Sequence, residues 1–242
     1  MLRAFSVISA LAMGAASSGI PCTREVQFAI ETTGLWTAAR HPTDYPEVND
    51  HFSPPVVVAS NAYELFTPGV DATTGLKNVA ETGNPTVINA EIAAQITAGT
   101  AFSTSVGAGS GPTCCGDAVR DNPAISVSAG ASTVSGVFML APSPDWFTGI
   151  RGVDLCDPAT GEWLSEATVS SSTWDAGTDS GTTYNSANDA TSPAVGVSEI
   201  TAAATPRLKP IRNAVTMITC RFGEFHVDGG TAGSMTRNCS PS

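Results

Sequence analysis

TVSGVFMLAPSPDWFTGIRGVDL, residues 133–155, consists of two apolar segments on either side of a proline-rich turn. TVSGVFMLAP (133–142) has the character of a core strand, and FTGIRGVDL (147–155) is a second strand candidate. Between them Asp145 stands beside Trp146, just after the first strand. Outward from this pair the same grammar recurs. REVQFAIET (24–32) places Val26, Phe28 and Ile30 on one face at period two, and PVVVAS (55–60) is an apolar run of the buried-strand kind. WLSEATVSS (163–171) and IRNAVTMITCRF (211–222) are further strand candidates. Ala, Thr, Ser, Gly and Val dominate the chain, while long helix-forming side chains are scarce. One segment differs. In NPTVINAEIAAQI (84–96), Asn84 can cap and Pro85 can open a helix whose Ile88, Ile92 and Ile96 line one face. Residues 180–210 have weak periodicity and much turn chemistry, which predicts a long surface connection. The expected fold is all-β: one antiparallel β-sandwich with a short helical insertion.

The chain has 242 residues, 22 of them acidic and 11 basic, giving a formal charge of −11. That balance, with no Lys/Arg cluster, repels phosphate backbones and argues against nucleic acid as a partner. Residues 1–18 read as a signal peptide: Arg3 leads the apolar stretch SVISALAMGAA (6–16), and small residues around Ala15–Gly19 offer cleavage sites. That stretch is too short to span a bilayer with margin and no later run approaches it, so no transmembrane segment is expected. Export to an oxidising compartment suits the six cysteines, Cys22, Cys114, Cys115, Cys156, Cys220 and Cys239. Their spacing chooses no pairing and lacks the pattern of a zinc site.

Acidic residues carry the chemistry that remains. TWDAGTDSGTTY (173–184) holds Asp175 and Asp179 among glycines and hydroxyl side chains. Asp179-Ser180-Gly181 matches the D-[ST]-G core of aspartic proteases, but no apolar strand leads into it and no second copy exists to share a proton. G-x-S-x-G and H-E-x-x-H are absent, and His41 and His51 sit in Pro-rich contexts. An EF-hand is excluded because its sixth and twelfth positions would be Ser180 and Ser186. On spacing alone, Asx-turn chemistry explains the stretch better than a metal. Asp145 alters that balance, because a third carboxylate in a turn supplies another of the hard oxygens that calcium requires.

SPDW (143–146), VDLC (153–156) and WDAGTDSG (174–181), in this order and spacing, resemble the spondin domain found in F-spondin and mindin. HPTDYP (41–46), HFSPPVV (51–57) and ATTGLKNVAETG (72–83) resemble it too, so the likeness covers residues 22–222 and leaves 223–242 as a tail. The resemblance implies a C2-like, jelly-roll-type sandwich that holds Ca2+ through Asp145, Asp175 and Asp179 in loops at one end. It also implies a disulfide between Cys22 and Cys156. Neighbouring cysteines seldom bond to each other, so Cys114 and Cys115 are expected to pair with Cys220 and Cys239. Trp146 and Trp174 flank the proposed ligands and are expected to wall the site from water or to pack at the sandwich end. Trp36 and Trp163, in strand-like contexts, are expected in the core.

The expected function is a non-enzymatic, secreted or cell-surface adhesion module. Its partner class would be the extracellular matrix, or a cell-surface receptor or glycan. A carbohydrate- or lipid-binding module using the same loops is the second reading, and a secreted hydrolase the third.

Overall fold

All four residues of Val56–Ala59 are buried, which a strand achieves only when both faces of its sheet are covered. The computed structural model, which describes residues 16–46, 48–107, 118–119, 124–201 and 214–219, shows what covers them. In chain order the first elements are β1 (Ser17–Pro21), β2 (Val26–Thr33), β3 (His51–Phe52), β4 (Val56–Ala59), α1 (Thr74–Thr82) and α2 (Thr86–Thr97). Then come β5 (Ser103–Val106), β6 (Ala118–Val119), β7 (Ala124–Val127), β8 (Thr133–Ala141), β9 (Trp146–Asp154) and β10 (Cys156–Asp157). The last are β11 (Glu162–Leu164), β12 (Glu166–Ser170), β13 (Ser172–Asp175), β14 (Ser198–Glu199) and β15 (Ala214–Thr219).

The larger sheet runs β14-β13-β9-β8-β4-β5, with β3 also on β8. The facing sheet runs β12-β15-β2, and β2 pairs with β7 in its first half and with β6 at its end. Strand pairs in both sheets are antiparallel. The chain crosses from one sheet to the other at buried Ser171, between β12 and β13. At the opposite side β5 meets β7, where Ser103 Oγ donates to the Ser126 carbonyl at 2.5 Å. The expected sandwich is therefore the fold.

Alternation in β2 works as its sequence predicts. Val26, Phe28 and Ile30 enter the core between the sheets and meet Val57 and Ala59 of β4, with Val215 and Met217 of β15. Val56 and Val58 face the other way, into a second core under the helices with Leu76, Val79, Ile88 and Ile92. Both faces of β4 are therefore apolar, and so its sequence does not alternate. A third cluster, of Trp36, Phe52, Phe138, Leu140, Trp146, Tyr184 and Ile200, fills the end where β8 turns into β9.

The helical insertion is larger than the one helix the sequence predicts. α1 begins at Thr73, whose Oγ1 accepts the Leu76 N–H at 3.1 Å, and ends at Gly83 in the left-handed region. The Asn84 side chain accepts the Thr86 N–H, so Pro85 precedes α2 instead of occupying its first position, and Ile96 is only half-buried. The carboxylate of Glu91 in α2 accepts the Gly75 N–H and the Thr73 hydroxyl, both at 2.8 Å, which locks the pair together. Trp163 and Trp36 are both core residues. Trp36, however, lies in a loop beyond β2 and not in a strand.

A small sheet, β1-β11-β10, closes the far end. There Cys22 and Cys156 form the implied disulfide, with Cα atoms 5.9 Å apart. Cys114, Cys115, Cys220 and Cys239 lie outside the described residues, as do residues 1–15 of the expected signal peptide and the tail 223–242.

Candidate metal centre

The β8–β9 turn is closed by Ser143, whose Oγ accepts the Trp146 N–H at 3.1 Å and donates to the Leu140 carbonyl at 2.5 Å. This turn fixes Asp145 just before β9. In the β9–β13 register Asp175 lies opposite Trp146. The loop leaving β13 must then pass the Asp145 side chain. It does so through Gly177, at φ +73°, where an added Cβ would lie 2.1 Å from the Val195 carbonyl oxygen. Only glycine fits that close approach without displacement.

Asp145 is fully buried. Its Oδ2 accepts the backbone N–H groups of Thr178 at 2.7 Å and Asp179 at 3.1 Å, and the Thr178 Oγ1 atom, whose shorter contact is to Glu81, lies 3.3 Å away. Its Oδ1 is buried and has no hydrogen-bond partner. Asp175 Oδ1 accepts the Gly177 N–H at 2.7 Å. Asp179 is committed on both oxygens, Oδ1 to the Gly181 N–H at 2.8 Å and Oδ2 to the Asp189 N–H at 2.9 Å. The three aspartates thus share one end of the sandwich in different roles. Asp145 and Asp175 interact directly as like charges, and Asp179 adds its charge against Asp175 while also shaping the loop. Among the described residues, no group of three His, Cys, Asp or Glu side chains is gathered closely enough to hold a metal ion. Asp145, Asp175 and Asp179 are therefore not gathered as a three-carboxylate metal site, and turn chemistry accounts for Asp179.

Burial and the neighbouring charge of Asp175 push the Asp145 carboxyl up to about 6, against the opposing pull of the Thr178 and Asp179 donors. Burial also raises Asp175, while the Gly177 N–H lowers it. The Trp146 indole N–H favours charged Asp175 as well, yet falls short of hydrogen-bond geometry. Among the described residues no base relieves the pair: Arg151 is engaged with Glu64 at 2.6 Å, and Lys77 lies 3.8 Å from Glu81. The sign of the pH dependence follows from these shifts. Between about pH 4 and pH 6 the folded metal-free protein keeps a proton on Asp145 that the unfolded chain has shed, so stability falls as pH rises through that window. Urea unfolding in chelator should show the metal-free protein weaker at pH 7 than at pH 4.5, by on the order of 1–2 kcal/mol from this site.

Trp146 belongs at the site, buried against Tyr184 at a centroid distance of 5.3 Å. Trp174 packs instead on Phe66 in the core below the helices. The expected surface connection also proves partly internal. Tyr184, Val197 and Ile200 are buried, and the Asp189 N–H holds Asp179. Thr178, Glu81 and Asp189 are not legible in the sequence as site residues. Their contributions are one hydroxyl, one helix-end carboxylate and one backbone donor, and no motif records such contacts.

The donor set suits a hard divalent cation. A buried, unpartnered carboxylate oxygen beside a second carboxylate is costly unless a cation or proton meets it. Calcium accepts carboxylate, carbonyl and water oxygens together, which an incompletely closed carboxylate set leaves room for.

The Spondin_N family model matches residues 26–209. The chain is 32% identical to Spondin-2 of Homo sapiens over 213 residues, covering 81% of this chain and 62% of that one. It is 35% identical over 164 residues to Spondin-1 of both Rattus norvegicus and Homo sapiens, covering 66% of this chain and 20% of each of those. The chain thus spans about three fifths of Spondin-2 and one fifth of Spondin-1. Because the matched residues run from β2 through the loop that carries Asp175 and Asp179, the chain belongs to the Spondin_N family.

Proposed function

We propose that this chain is a secreted, calcium-binding adhesion module that associates with the extracellular matrix or with a cell-surface receptor or glycan. The unpartnered, buried Asp145 Oδ1 beside Asp175 carries the metal part of this reading. Asp145 and Asp175 would hold the ion, with Asp179 keeping the loop in shape through its backbone contacts. A bound calcium would neutralise the like-charged pair and offer a positive centre to an acidic ligand group on an otherwise negative surface. Membership of the Spondin_N family supports the matrix and cell-surface setting. Among the described residues no helix is long and apolar enough to cross a membrane.

Two observations favour a protein or acidic partner over the other readings. Trp146 and Trp174 are buried, so neither presents a ring face on which a sugar could stack. The His51 Nδ1 atom lies 2.7 Å from the Asn49 carbonyl, so that ring nitrogen is not free to activate a serine. Isothermal titration with calcium tests the metal, and adhesion to matrix-coated surfaces with calcium and then with chelator tests the module. The expected results are a dissociation constant on the order of 10⁻⁴–10⁻³ M and adhesion lost in chelator. Absence of heat together with an unchanged melting temperature removes the metal; adhesion indifferent to chelator removes the bridging role.

A further inference from the structure

The helical insertion reaches the candidate site through one side chain. Thr178 Oγ1 lies 2.7 Å from Glu81 Oε1, in the last turn of α1, and 3.3 Å from Asp145 Oδ2. A hydroxyl has one proton to donate, and the shorter contact commits it to Glu81. With its side chain fixed in this way, Thr178 aims its own N–H, and that of Asp179, at the same Asp145 oxygen. Oδ2 is thereby occupied and Oδ1 is the oxygen left unpartnered. Among the described residues the nearby bases offer no substitute: Lys77 approaches Glu81 only at 3.8 Å, and Arg151 is held by Glu64.

We propose that Glu81 is a positioning residue for the calcium site, acting from helix α1 through the Thr178 hydroxyl to orient Asp145. The inference rests on the calcium reading above, but the Glu81–Thr178 coupling can be measured without the metal. Glu81 acts as a hydrogen-bond acceptor and not as a charge, so Glu81→Gln preserves the arrangement while Glu81→Ala and Thr178→Val break it.

The test is a double-mutant cycle read by calcium calorimetry, with amide hydrogen exchange in chelator as the metal-free readout. Glu81→Ala and Thr178→Val should each weaken calcium binding by about 2- to 10-fold, and the double variant no further, because one hydrogen bond has been removed in all three. Glu81→Gln should stay within about twofold of wild type. In chelator, the Thr178 and Asp179 amides should exchange faster in Glu81→Ala but not in Glu81→Gln. Additive losses, or a glutamine variant as weak as the alanine variant, overturn the proposal. Wild-type exchange in Glu81→Ala overturns it as well, even if calcium binds. A wild type that takes up no calcium, yet shows the exchange pattern, refutes the calcium reading and leaves the coupling standing.

Discussion

Asp145→Asn should erase the calcium-dependent rise in melting temperature while leaving the calcium-free protein as stable as wild type at neutral pH, or more so. The two halves of this result come from the same atom. In the metal-free protein a charged Asp145 is buried beside Asp175 with Oδ1 unpartnered, so removing the charge removes a cost. The asparagine oxygen can still accept the Thr178 and Asp179 N–H groups, so the loop keeps its anchor. With calcium at ten to a hundred times its dissociation constant, wild type should gain about 1.4–2.7 kcal/mol, which moves the melting temperature by several degrees. The variant should gain nothing measurable. Differential scanning calorimetry with calcium and with chelator reads both halves. A variant weakened equally in both conditions would make Asp145 an ordinary core residue and not a ligand.

Replacing Cys22 and Cys156 together by alanine should lower stability by about 2–5 kcal/mol, with or without calcium. The bond joins positions 134 residues apart, so its removal releases a long loop in the unfolded chain. Cys22 is also packed in the core between the sheets, and alanine leaves part of that volume empty. Guanidinium unfolding of the variant and wild type, both in chelator, isolates the loss from any metal. Equal midpoints would show that the small β1-β11-β10 sheet holds the chain as tightly without the covalent link.

Much of this architecture can be read from residue order because burial imposes a period on it. β2 alternates because one of its faces meets the facing sheet, and β4 does not because helices cover its second face. The aspartates stand out once SPDW is joined with WDAGTD, two loops that the β9–β13 register brings to one end. Three features escape that logic. α1 has only Leu76, Val79 and Ala80 to mark a buried face in a polar nine-residue segment, too short for periodicity to stand out. Tyr184 and Ile200 are buried from irregular segments, where no period exists to betray them. The Glu81–Thr178 contact spans 97 positions and depends on where α1 ends over the sheet, which is a tertiary fact.

β9 runs nine residues, roughly 30 Å at the usual rise of a strand, from the aspartate loops at Trp146 towards the covalent bridge at Cys156. With calcium held as proposed by Asp145 and Asp175, its two ends would answer to two different properties of the surroundings, oxidising potential at one and free calcium at the other. Constraints this far apart, with no shared neighbours, should act additively. On that reading, a chain in a reducing, calcium-poor compartment would lack both stabilising links.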